Sequence, residues 1–204
     1  MRKIQTVGLA LVAMFALSAF VASSAFGASE WLNNGAAITA AIKVASKGKL
    51  KLSDSKGGLF GEKVEIECEG TDEGTVGPGT ADTVTKITAT KCVRITGICP
   101  ETITATALHL PWKTTLLLVE EKWRDDIENS GAGAPGWNVV CSGTVEDECT
   151  AETSTELKNV TGGVEAIFDA KSAKANCTRG GTGAGTVLGN DLNANPTGDV
   201  ITVS

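Results

Sequence analysis

Apolar and polar residues alternate one by one along much of this 204-residue chain. That period fits a half-buried strand and not a helix. Val64-Glu65-Ile66-Glu67-Cys68-Glu69 is the clearest case, with Val64, Ile66 and Cys68 on one face and three glutamates on the other. Ile87, Ala89, Val93 and Ile95 read as one face across residues 86–96. Residues 102–110 alternate threonine with apolar side chains. Trp137, Val139 and Cys141 line one face of a further strand, Leu116-Leu117-Leu118-Val119 reads as a short buried strand, and residues 201–204 read as the last. Many short strands with close turn signals predict an all-β fold, an antiparallel sandwich or barrel.

The turns follow from the breaks in the pattern. Ser46-Lys47-Gly48 is expected to join a strand ending near Val44 to one at residues 50–53. Glu120-Glu121-Lys122 joins residues 114–119 to 123–128. Residues 70–79 read as a Gly/Thr loop with a short strand at 74–76, and residues 131–136 as a loop before Trp137. Residues 164–175 fit a strand, a turn at 169–172 and a second strand better than a helix. Cys68-Glu69-Gly70-Thr71 and Cys141-Ser142-Gly143-Thr144 read as one strand-to-turn solution used twice, not as a duplicated domain.

The N-terminus has a different character. Arg2 and Lys3 precede an apolar run from Val7 to Val21, and small residues end it at Ala25-Phe26-Gly27-Ala28. This is the layout of a secretory signal, read as a signal helix cleaved after Ala28. The expected organisation is a signal at residues 1–28 and a single all-β domain at 29–204. No second apolar stretch approaches membrane length, so no stable membrane insertion is expected after signal removal. Without Arg2 and Lys3, 16 basic residues face 24 acidic ones, a net charge of −8. That charge opposes nucleic acid and anionic lipid as partners.

An exported chain meets an oxidising compartment, where cysteines close as disulfides. All six cysteines lie after the signal: Cys68, Cys92, Cys99, Cys141, Cys149 and Cys177. Sequence leaves the connectivity open. Closing neighbours first gives Cys92–Cys99 and Cys141–Cys149, leaving Cys68 with Cys177. Both methionines and three of five phenylalanines fall in the signal, and tyrosine is absent. The core must come mainly from Val, Ile, Leu and Ala, and such a core gains from cross-links.

The chemical inventory is sparse. Structural zinc sites favour closely paired cysteines, and no such spacing occurs, so neither metal nor cofactor is expected. His109 is the only histidine, it sits near no nucleophile motif, and a structural role at a strand end is the reading. Glu120/Glu121, Asp125/Asp126 and Asp147/Glu148 are adjacent carboxylates. Neighbours on a strand point to opposite faces, so these read as solvated hairpin charges. Asp191-Leu192-Asn193-Ala194-Asn195 opens like a calcium loop, but Pro196 and Thr202 stand where the loop needs Gly and Glu, and an Asx-rich turn is preferred. Residues 180–185 are Gly-rich without the Lys and Ser/Thr of a phosphate loop, and read as a flexible turn. Asn159-Val160-Thr161 and Asn176-Cys177-Thr178 match the glycosylation sequon, which matters only in a eukaryotic secretory route. Trp112 and Trp137 read as core, leaving Trp31 and Trp123 as exposed rings for a sugar.

Ala28-Ser29-Glu30-Trp31-Leu32, Leu110-Pro111-Trp112-Lys113-Thr114, residues 131–137 and Gly162-Gly163-Val164-Glu165-Ala166, taken with the cysteines, resemble a group of secreted, β-rich actinobacterial proteins without an assigned function. The resemblance implies a bacterial exported protein and carries over no catalytic residue. The first functional reading is a secreted, disulfide-braced, non-enzymatic protein. It binds or interacts through its loops with an extracellular ligand or a cell-envelope component. The rival is a secreted glycan hydrolase using carboxylates, and a third reading is a structural envelope protein. A two-carboxylate cleft favours the rival, and a closed surface with no polar pocket favours the first.

Overall fold

The structure is a computed structural model describing residues 29–99, 102–141, 145–167, 175–179, 182–188, 190–194 and 198–204. The signal segment, residues 142–144, the turn expected at 169–172, Gly180, Gly181, Asn195 and Pro196 lie outside the described residues. The described residues are all-β and sandwich-like. The strands are β1 (Trp31–Asn33), β2 (Ala36–Ala37), β3 (Ile42–Asp54), β4 (Val64–Val76), β5 (Ala81–Thr96), β6 (Ile103–Leu108), β7 (Trp112–Val119) and β8 (Lys122–Glu128). They continue with β9 (Gly136–Cys141), β10 (Val145–Thr150), β11 (Thr153–Val160), β12 (Gly163–Ile167), β13 (Ala175–Cys177), β14 (Thr182–Leu188), β15 (Asn190–Ala194) and β16 (Ile201–Val203).

Thirteen strands form one antiparallel sheet, in the order β15-β12-β11-β8-β7-β5-β4-β3-β14-β13-β10-β9-β6. β15 also pairs with Val44 and Ala45 of β3, so one part of the sheet folds back on itself. At the other end, among the described residues, β6 pairs only with β9, and their sheet as a whole does not close into a barrel. A small sheet, β16-β1-β2, lies over the folded-back part. Asn159 of β11 fixes it, because its amide donates to the Val203 carbonyl (2.9 Å) and its Oδ1 accepts from the Val203 N–H (2.9 Å). That side chain serves as a ladder partner, whatever the sequon around it.

Two hydrophobic cores share the long strands β3 and β4, and a smaller cluster around Trp112 and Ile127 packs against Val84 and Ile87 of β5. Val44 and Val76 lie in the first core with Trp31, Leu116, Leu157, Val164 and Ile201. Leu50, Leu52, Val64, Ile66 and Cys68 lie in the second with Cys99, Cys141 and Val145. Between the cores the inward positions are small or polar: Ser46 bonds Asp72, and Gly48 stands opposite Gly70. This corrects two expectations. Residues 46–48 do not turn, and residues 70–79 do not begin as a loop, because β3 and β4 run unbroken for 13 residues each. Their turn-like letters mark the junction of two cores. Gly74 is required there, since a Cβ would meet the Thr83 carbonyl oxygen at 1.9 Å.

Other corrections have local causes. Lys91, with φ 50°, marks a register irregularity between Glu67 and Glu69 of β4, and it flips the phase of β5. Ile87, Ala89 and Cys92 pack inward, whereas Val93 and Ile95 are exposed. Of residues 116–119 in β7 only Leu116 is buried, and Leu117, Leu118 and Val119 stand out at the hairpin tip. Residues 182–188 and 190–194 are strands β14 and β15, not the flexible and Asx-rich turns expected.

The β7–β8 hairpin turns at Glu120-Glu121 as the sequence predicts. Both residues have positive φ, 51° and 61°. Such a two-residue turn favours Asn-Gly, since other side chains crowd the backbone there. Replacing the pair by Asn and Gly is expected to raise stability by about 1–2 kcal/mol. A higher urea midpoint at unchanged slope is the readout, and a lower midpoint rejects the strain argument.

All six cysteines are bridged, but the pairs are Cys68–Cys92, Cys99–Cys141 and Cys149–Cys177. None of the sequence-expected pairs forms. Cys149 stands directly opposite Cys177 in the β10–β13 register. In the β9–β10 hairpin Cys141 faces Val145 and Cys149 faces Trp137, so sequence neighbours are held apart.

Candidate functional site

Asp residues in the inward phase of five strands converge on the interior. Trp123-Arg124-Asp125-Asp126-Ile127 places Asp125 in phase with Trp123 and Ile127, both packed into a core. Asp82 of β5 stands opposite the buried Thr114 of β7, and Asp125 of β8 stands opposite the neighbouring inward residue Leu116. Asp82 and Asp125 lie side by side and act on each other electrostatically. Burial pushes both above the usual carboxylate range, Asp125 to about 7. Asp82 rises further because Asp125 lies beside it, so the pair is placed to share one proton. Burial also raises Asp72, which lies near Asp125 and is held by Ser46.

Asp54 and Asp147 form a second contact pair. Burial, then the hydrogen bond and charge of Asp54, raise Asp147 to about 6. Asp147 accepts from the Thr178 hydroxyl (3.2 Å) and the Arg179 N–H (3.3 Å), and Asp54 accepts from the Lys56 N–H (3.0 Å). These bonds tie the segment after β3 to β10 and β13. Ligand atoms of Asp54, Asp147, Cys149 and Cys177 lie within 4.8 Å of one another. The two sulfurs are joined to each other and offer no thiolate, which leaves two carboxylates for a cation.

The residues singled out in the sequence fall elsewhere. His109 donates its Nδ1–H to the Ala134 carbonyl (2.7 Å), and its ring lies against Gly133. A Cβ on Gly133, whose φ is 131°, would sit 2.8 Å from that ring. Gly133→Ala is expected to cost about 1–3 kcal/mol by overpacking, measured as a lower urea midpoint, and an unchanged midpoint removes the clamping role of His109. Glu120 and Glu121 are exposed. Trp31 is 2% exposed and Trp123 half-buried, so the two rings expected to face a sugar belong to the first core. Trp112 and Trp137 meet edge to face at 6.3 Å.

A cavity of about 230 Å³ runs along the inner surface of the long strands. Val44, Leu50, Ile66 and Leu157 give it apolar walls, and Trp31, Thr114, Asp82 and Asp125 line it too. Outside, Leu59, Phe60, Val93, Ile95 and Ile98 are exposed apolar side chains, Phe60 at 81%. The Glu62 carboxylate accepts from the backbone N–H groups of Phe60 and Ile98 and holds their loops together. No helix among the described residues is long and apolar enough to cross a membrane. No protein-family model matches the chain, and neither does a curated protein or a solved structure.

Proposed function

We propose that this is an exported, disulfide-braced, non-enzymatic protein of the extracellular space or bacterial cell envelope, and that it binds a small ligand in its internal cavity. The cavity is the observation that carries the reading. Its volume of about 230 Å³ exceeds the roughly 150 Å³ that suffices for benzene in an engineered apolar site. The binding role expected of the loops thereby moves to the interior.

The carboxylates favour binding over hydrolysis. A glycan hydrolase sets two carboxyl groups about 5–10 Å apart across a cleft. Here the paired carboxyls touch each other inside the fold. A proton-sharing pair is also the device of aspartic proteases, but Asp82 is 7% exposed and leaves no face for a peptide chain. Three disulfides suit an oxidising compartment.

Three tryptophans help the test, since Trp31, Trp112 and Trp137 all line the cavity. A panel of small apolar alcohols, acids and amines is expected to contain compounds that change tryptophan fluorescence saturably and raise the melting temperature. A panel without effect, together with release of reducing sugar from cell-wall glycan, replaces this reading with the hydrolase.

A further inference from the structure

We propose that the Asp82–Asp125 pair is the head-group site of the cavity and that it takes the ammonium of a small apolar amine, an inference that rests on the ligand-binding reading. Acidic clusters are common in folded proteins, so the proposal needs more than the two aspartates. Three buried oxygens supply it. Asp82 Oδ1, Asp125 Oδ1 and Thr114 Oγ1 have no hydrogen-bond partner among the described residues. All three residues line the cavity. Thr114 is 1% exposed and faces Asp82 across the β5–β7 ladder, with Asp125 diagonal to it on β8. Directly opposed side chains on one face lie about 5 Å apart at Cβ.

Buried polar atoms without partners cost free energy, so three of them on one cavity wall mark a place for a complementary group. A primary ammonium carries three N–H donors and no acceptor, which matches three oxygens. Its charge matches as well. With one proton held between Asp82 and Asp125 the pair carries a single negative charge, and one ammonium neutralises it. A carboxylate ligand would add a second negative charge in the same enclosed space. An alcohol offers one donor for three acceptors. The Trp31 indole N–H is also buried without a hydrogen-bond partner, and it lies near enough to Asp82 to favour that carboxyl's ionised form. The apolar walls take the rest of the ligand, and the cavity volume limits it to about the size of a substituted benzene.

Titration calorimetry with benzylamine, benzyl alcohol and benzoate near neutral pH tests the site. Benzylamine is expected to bind at least about tenfold more tightly than benzyl alcohol, with benzoate weakest, because charge-assisted hydrogen bonds exceed neutral ones. Asp125→Asn is expected to abolish the preference for the amine while benzyl alcohol still binds. Thr114→Val is expected to lower amine affinity alone, and a cooperative melt with native near-ultraviolet dichroism shows that each variant is folded. Equal affinity for amine and alcohol in the unmodified protein overturns the ammonium site and leaves the cavity reading standing. No binding of any of the three overturns both.

Discussion

Full reduction of the three disulfides is expected to lower the melting temperature by at least about 20 °C. The bridges span 24, 42 and 28 residues. In the chain-entropy model loops of that size contribute about 3.5–4 kcal/mol each. Together they rival the whole stability of an ordinary domain, about 5–15 kcal/mol. Their placement makes the loss uneven. Cys68, Cys99 and Cys141 sit in the second core with Cys92 packed against it, and Cys149–Cys177 links β10 to β13 of the same arm. The first core contains no cysteine. It has the fold-back of β15 onto β3 and the cover of β1 and β16, whereas the second ends at the open edge of β6. Hydrogen exchange after reduction should therefore deprotect β6, β9 and β10 before β7, β8 and β11. Among double Cys→Ser variants, the one lacking Cys99–Cys141 is expected to lose most, about 4 kcal/mol, since it closes the longest loop. A reduced protein that melts within a few degrees of the oxidised one defeats the argument.

The alternation in residues 64–69 and 137–141 reads correctly because each strand there has one dry face and one wet face. Strand class, antiparallel pairing and the β7–β8 turn follow from that pattern. Misreadings cluster where the inward face turns polar. Ser46, Gly48, Gly70 and Asp72 look like turn residues, and only the partner strand shows that they meet one another between two cores. Asp125 and Asp147 belong to adjacent carboxylate pairs, which read as solvated hairpin charges. Their phase held the signal: Trp123, Asp125 and Ile127 share a face, and so do Val145, Asp147 and Cys149. What no local pattern contains is the partner. Asp82 lies 43 positions from Asp125, and Asp54 lies 93 from Asp147, so only the long-range pairing of strands brings them together. The disulfides fail for the same reason, since proximity in sequence says nothing about which strands become neighbours.

Stability should fall as pH rises from about 4 to about 7, the reverse of the usual acid denaturation. Asp82, Asp125, Asp72 and Asp147 all have raised proton affinities in the folded protein, with burial the leading cause, Asp125 reaching about 7 and Asp147 about 6. In the unfolded chain the same groups lose their protons near the ordinary 3.9. Between those limits the folded state binds more protons than the unfolded one, and the linkage slope is negative. The stabilisation is fully present below about pH 4 and is lost as pH climbs through the folded values. Glu62, Glu65 and Glu156 shift the other way through backbone and lysine hydrogen bonds, but they are solvated and contribute little. A proton retained across three pH units corresponds to at most about 4 kcal/mol. The melting temperature near pH 5 should therefore exceed that near pH 8 by on the order of 10 °C. Asp125→Asn separates this cause from a general charge effect. The amide occupies the same place beside Asp82 and cannot ionise. The variant should match the unmodified protein at low pH, exceed it by a few kcal/mol near pH 8, and show a flatter profile between. A melting temperature that rises steadily from about pH 4 to pH 8 in the unmodified protein would mean that the carboxyls are ionised in the fold. The single charge on which the ammonium site depends would then be lost as well.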